Sequence, residues 1–207
     1  MDQRMMSQQD KTAILIIDVL NDYFTTGLLK ERRAALVANI NQMAHEGRES
    51  GCPVIWVRQE FAPDLTDAFL GMRKSNIQIT IAGTAGCQLL PELERKATDH
   101  EVIKKRYSAF FRTNLEDLLV SLNVTCLVIS GINTHACVRM AAIDAYQRDY
   151  EVVIPRECVA SWDQEHHDVS LRYLQGGIAQ VQSLSEVFRS SPEAFLKRRI
   201  CYSGGDG

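Results

Sequence analysis

Two textures alternate along the chain. Short runs of β-branched and other apolar residues give way to longer stretches with apolar positions at helical spacing, the pattern of βαβ units feeding a parallel sheet. Six strands are predicted: Ala13 to Asp18, Pro53 to Arg58, His100 to Lys105, Cys126 to Ser130, Glu151 to Pro155 and Ile178 to Ser183. Helices are predicted over Lys30 to Glu49, Thr113 to Leu122, Thr134 to Asp149, Gln164 to Gln175 and Ser185 to Arg198, the second opening on Thr113 and Glu116 at capping-box spacing. The near-continuous hydrophobicity of AILII and CLVI suits strands covered on both faces. The expected fold is therefore a doubly wound, three-layer α/β/α arrangement, Rossmann-like, around a six-stranded, mainly parallel sheet. Between the second and third strands, Gln59 to Arg95 is weakly periodic and carries Pro63, Gly71, Gly83, Gly86 and Pro91. It reads as a long excursion serving function or assembly.

Composition narrows the class. The chain has 207 residues, 45% hydrophobic and 24% charged, which suits one domain over 1–207 with frayed ends at 1–11 and 203–207. A formal net charge of -3 offers no broad basic footprint, so nucleic acid is not an expected partner. No apolar run reaches the ~20 residues of a membrane span and the first residues are too polar for a secretory signal, so no membrane partner and a cytoplasmic location are expected. The six cysteines, Cys52, Cys87, Cys126, Cys137, Cys158 and Cys201, form no C-x-x-C pair and read as reduced thiols.

In open α/β sheets ligands gather beyond the carboxyl ends of the strands, which singles out three places. The first strand ends in Asp18, a carboxylate costly to bury without a charged or hydrogen-bonding partner; a helix cap or turn is the alternative. The third ends in Lys104, Lys105 and Arg106, either a solvated basic face or the source of one ammonium aimed at Asp18. After the fourth strand, Gly131 breaks the run and Cys137 falls in the first turn of the next helix, where the helix terminus would favour a thiolate. The other cysteines read as core. G-x-S-x-G, G-x-G-x-x-G and phosphate-loop patterns are absent, and the five histidines lack metal-ligand spacing, with His135 notable for its closeness to Cys137. Asn21, Tyr23, Phe24, Tyr107 and Phe110 are candidate pocket walls, with burial in the core as the alternative for the aromatics.

The ordered pieces AILIIDVLNDYF, IAGTAGCQLLPEL, VIKKRYSAFFRTNLEDLL and LVISGINTHACVRMAAIDAYQRDYEVVIPRECVAS resemble the isochorismatase-like cysteine hydrolases over most of the chain. That resemblance implies Asp18 as acid/base, Cys137 as nucleophile and Lys104, not Lys105, as the third catalytic residue. It implies a cis peptide between Ile132 and Asn133, with the backbone N–H groups of Asn133 and Cys137 forming an oxyanion hole. It also implies a small-molecule substrate cleaved at a C–N bond, a homodimer or homotetramer, and no cofactor. The vinyl-ether chemistry of the isochorismatases, with Asp18 as general acid, is the alternative, and a catalytically silent binding member of the fold is a third reading. Metal-binding nicotinamidases carry an aspartate and histidine cluster after the second strand, where this chain reads WVRQEFAPDLTDAF, so no metal site is expected.

Overall fold

The computed structural model describes residues 11–189. Seven strands, β1 (Lys11–Ile17), β2 (Val54–Gln59), β3 (His100–Lys104), β4 (Val124–Ile132), β5 (Glu151–Pro155), β6 (Val159–Ala160) and β7 (Gln180–Gln182), form one sheet. Its order is β3-β2-β1-β4-β5-β7 with β6 beside β4, and every pair is parallel. The helices are α1 (Gly27–Glu49), α2 (Leu70–Ser75), α3 (Leu115–Ser121), α4 (Arg139–Tyr146), α5 (Gln164–Leu174) and α6 (Leu184–Arg189).

Alternation along β1 shows why its run is apolar throughout. Ala13, Leu15 and Ile17 face one layer with Leu115 and Leu119 of α3, Ala141, Ala142 and Ala145 of α4, and Leu174 of α5. Ile14 and Ile16 face the other, against Leu36, Val37, Ile40, Met43 and Ala44 of α1 and Leu184 and Val187 of α6. These five residues, Ala13 to Ile17, are fully buried, as a central parallel strand requires. The expected three-layer fold is present, with one strand more than the six predicted. The extra strand, β6, has two residues and exists because β4 outruns β5: Cys126 to Val128 pair with β5, while Gly131 and Ile132 pair with Val159 and Ala160. A segment so short carries no periodicity of its own.

Several boundaries move. Lys11, read as a frayed residue, starts β1, and the remaining terminal positions lie outside the described residues, as does the predicted helix beyond Arg189. No capping box forms at α3: Thr113 Oγ1 donates to the Ala109 carbonyl at 2.5 Å and Glu116 turns to Arg148 at 2.9 Å. The excursion after β2 is better ordered than its pattern suggests. Phe61, Leu65, Ala68 and Ile81 make a small core of their own, and the segment is tied to the carboxyl edge of β1 through Leu90 N–H to Val19 O and Asn21 N–H to Gln88 O.

The sheet's direction switches between β1 and β4, which places a crevice at their carboxyl ends. There Gly131 sits opposite Ile17 with φ +106°, and a Cβ on it would lie 2.0 Å from the Ile17 carbonyl oxygen. Gly131→Ala is expected to cost about 2–5 kcal/mol of stability from backbone strain and overpacking, read by urea denaturation.

Candidate functional site

Asp18 follows directly on β1 and takes up a left-handed backbone, φ 56°, which turns its carboxylate along the rim of the sheet. It caps no helix. The side chain is buried; Oδ1 accepts the Gln59 N–H at 2.8 Å, and Oδ2 lies 2.6 Å from Lys104 Nζ. Oδ2 receives no aligned hydrogen bond, so this contact is an ion pair that leaves a lone pair uncommitted.

Lys104 ends β3, paired in register with Gln59 of β2. Alternation along β3 sends Val102 and Lys104 inward and Lys105 outward. Lys105 pairs with Asp67 at 2.9 Å, and Arg106 lies over the Phe69 ring, so the solvated-face reading holds for Lys105 alone of the two lysines. Lys104 is fully buried; its ammonium is ion-paired with Asp18 Oδ2 and donates to the Arg106 carbonyl at 3.1 Å and to Cys137 Sγ at 3.3 Å. Burial works to lower its pKa, but the charges of Asp18 and Cys137 outweigh it and hold the pKa above the usual lysine value.

Cys137 departs from expectation in one respect. The predicted helix opens with a π-turn, Thr134–Val138, and α4 proper begins at Arg139, beyond the cysteine. Cys137 does fall in the first turn of the predicted helix, a π-helical turn that runs on into α4, but that position does not make it a thiolate. Burial pushes its pKa up to about 12, Lys104 opposes the rise and Asp18 adds to it. At neutral pH the sulfur rests protonated beside a carboxylate able to take its proton.

The turn itself is pinned from α5 and the β6–α5 connection. Thr134 Oγ1 and His167 Nδ1 lie 2.8 Å apart, both buried; His135 Nδ1 and Ser161 Oγ lie 2.9 Å apart; Asn133 Oδ1 accepts the Trp162 N–H at 3.2 Å. The Ile132–Asn133 peptide is cis. The Asn133 carbonyl accepts from Ala136 N–H at 3.0 Å and Val138 N–H at 3.2 Å, and the Cys137 N–H is not one of its donors.

Asp18, Lys104 and Cys137 thus meet at one point. The candidate pocket walls divide. Tyr23 donates to Gln59 Oε1 at 2.5 Å and lies close enough to Asp18 and Cys137 for their charges, after burial, to raise its pKa. Asn21 holds the excursion through Nδ2 to the Ala85 carbonyl at 2.9 Å, and Tyr107 is half exposed with its ring 4.9 Å from that of Phe69. Phe24 and Phe110 are buried, Phe24 on the α1 side of the sheet and Phe110 beneath Tyr150 and Arg148. Sequence reasoning missed Gln59, Thr80, Ser161 and His167. Gln59 alone carried a signal, since a polar residue ends the apolar run of β2.

Matches with known proteins identify the family. The family model described as the Isochorismatase domain matches residues 12–186. The chain belongs to the isochorismatase family. Among its relatives, a probable inactive nicotinamidase of Arabidopsis thaliana is 31% identical over 81% of this chain and 89% of its own. Maleamate amidohydrolase of Pseudomonas putida is 28% identical over 78% of each. Of the solved structures, the nicotinamidase PncA of Bacillus subtilis superposes with a TM-score of 0.74 and 29% identity, covering 84% of this chain and 100% of that one. The isochorismatase family thus includes hydrolases of amides as well as a relative considered inactive. Among the described residues no three His, Cys, Asp or Glu side chains converge as a metal site would require, and no helix is long and apolar enough to cross a membrane.

Two expectations follow from the triad's electrostatics. Lys104→Met would leave a buried carboxylate without its counter-charge, and urea denaturation is expected to show a loss of about 3–5 kcal/mol. Because the Cys137 thiol titrates only near pH 12, its alkylation by iodoacetamide, mapped by mass spectrometry, should rise about tenfold per pH unit from 7 to 9 with no plateau.

Proposed function

We propose that this protein is a cofactor-independent hydrolase that cleaves the C–N bond of a small carboxamide, ureido or carbamoyl compound through a thioester on Cys137. One observation carries the reading: Lys104 Nζ stands between Asp18 Oδ2 at 2.6 Å and Cys137 Sγ at 3.3 Å, all three buried at the switch point of the sheet.

Asp18 takes the proton of the Cys137 thiol on its uncommitted Oδ2. The sulfur then attacks the substrate carbonyl carbon, and the C=O electrons move onto oxygen, which the N–H groups of Asn133 and Cys137 receive. Collapse of this adduct re-forms C=O and expels the nitrogen, to which Asp18 returns the proton, so ammonia or an amine leaves. Water, deprotonated by the same carboxylate, attacks the thioester and releases the acid and the thiol. Lys104 balances a single negative charge throughout, whether it resides on the carboxylate or on sulfur, so charge moves between its two partners without a buried excess. The named amidohydrolase relatives support this reading.

Vinyl-ether hydrolysis, with Asp18 as acid, needs no sulfur, and this separates the two chemistries. In an ammonia-release screen over small amides, ureido acids and carbamoyl compounds, with isochorismate as a non-amide control, Cys137→Ala is expected to lower amide turnover by about 10⁴-fold or more, and Asp18→Asn by about 10²–10⁴-fold. Turnover by Cys137→Ala at the wild-type rate would end the covalent scheme.

A further inference from the structure

Beside the triad the structure leaves two polar side chains buried and unsatisfied. Gln59 is 4% exposed and Thr80 is wholly buried, yet Gln59 Nε2 and Thr80 Oγ1 have no hydrogen-bond partner. Orphaned groups of this kind are rare in a folded protein and need a reason. Both belong to one cluster with Tyr23. The Tyr23 hydroxyl meets Gln59 Oε1 at 2.5 Å, a length of O–H···O and too short for N–H···O, so tyrosine donates and the free end of the amide is its NH₂. Thr80 lies close enough to Tyr23 to oppose the rise in its pKa while making no aligned hydrogen bond to it. The same hydroxyl feels Asp18 and Cys137, and the Gln59 backbone N–H binds Asp18 directly, so the cluster adjoins the reacting centre.

Thr80 carries a second mark. It is β-branched yet adopts φ 52°, a conformation that costs about 1–3 kcal/mol in such residues. Its backbone is fixed there from two sides, N–H to Asp22 Oδ2 at 2.7 Å and C=O from the Phe61 N–H at 2.9 Å. The excursion therefore holds this one hydroxyl against the site in a strained geometry that local sequence preference would not choose.

Three of the neighbouring cations already face carboxylates, and a fourth, Arg106, is held by carbonyls. Lys104 is bound to its three partners, Arg58 to Glu60, Glu101 and the Cys87 carbonyl, Lys105 to Asp67, and Arg106 to the carbonyls of Asp67 and Lys105. What the cluster offers is an amide NH₂ and a hydroxyl, both uncharged.

Building on the amidohydrolase reading, we infer that Gln59 and Thr80, with Tyr23 behind them, form a specificity subsite that receives a second, neutral oxygen of the substrate, a carbonyl or hydroxyl rather than a carboxylate. A buried carboxylate there would face Asp18, whose counter-charge Lys104 is already committed, whereas a neutral carbonyl oxygen takes the Gln59 N–H and the Thr80 O–H without adding charge.

Binding to Cys137→Ala protein tests this apart from catalysis. Ligand-observed NMR titrations would compare succinamide, whose second end is a neutral amide, with succinamate, whose second end is a carboxylate, and butyramide, which has none. Succinamide is expected to bind at least 10-fold more tightly than either. The near-isosteric changes Gln59→Met and Thr80→Val, each added to Cys137→Ala, should each reduce that margin severalfold, with butyramide affinity unchanged. Equal affinities for the three compounds, no binding of succinamide, tighter binding of succinamate, or a margin that survives both changes would overturn the subsite. Hydrolysis of these amides by the wild-type protein without the preference sinks the subsite alone. The preference without hydrolysis sinks the amidohydrolase reading alone.

Discussion

A single buried ammonium organises this protein's site. Lys104 lies at zero exposure, ion-paired with a carboxylate and donating to a sulfur and a main-chain carbonyl. An isolated ammonium at that depth would be untenable, since its desolvation is repaid only by partners of opposite charge in good geometry. Asp18 supplies that charge, and in doing so it is fixed in turn by the Gln59 N–H and a left-handed backbone. Three strands are thereby bound to one another at their carboxyl ends by a polar contact that the apolar core beneath could not provide. The same contact sets the resting state of Cys137: burial and the carboxylate keep the thiol protonated, and the ammonium limits how far.

The fold serves this contact by bringing the ends of β1, β3 and β4 to one rim. β1 and β4 lie side by side, and Gly131 permits their close approach where any side chain would strike the Ile17 carbonyl. β3 reaches the rim from across β2, in a register that sets Lys104 beside Gln59. The Thr134–Val138 turn then presents Cys137, and its anchors come from residues far along the chain: His167 on α5, Ser161 and Trp162 just ahead of it. The catalytic candidates are thus few, but the groups that hold them are drawn from nearly every layer.

Much of this is legible in the chain. Strand β5 runs over the predicted residues, and the central strands are found because parallel strands covered on both faces must be apolar throughout. Asp18 stands out because a carboxylate directly follows five apolar residues, and Cys137 because strand, glycine and turn coincide. Lys104 is different: periodicity alone leaves it level with Lys105, and the family resemblance distinguishes them where the residues do not. The strand's alternation settles it in three dimensions, one lysine inward and its neighbour out to Asp67. The protonation of Cys137 is read wrongly from sequence, because burial and the neighbouring carboxylate decide it and neither is local.

Sequence by itself determined the layered parallel architecture, which follows from period along a segment, and it marked Asp18 and Cys137 by their places after strands while leaving Lys104 level with Lys105. Tertiary structure alone decided how those groups are charged and what surrounds them. Thr80 lies in a stretch with weak pattern, and only the bonds from Asp22 and Phe61 bring its hydroxyl beside Tyr23 and Gln59. Electrostatics and desolvation act between residues distant in the chain, so no reading of neighbours along it can supply them.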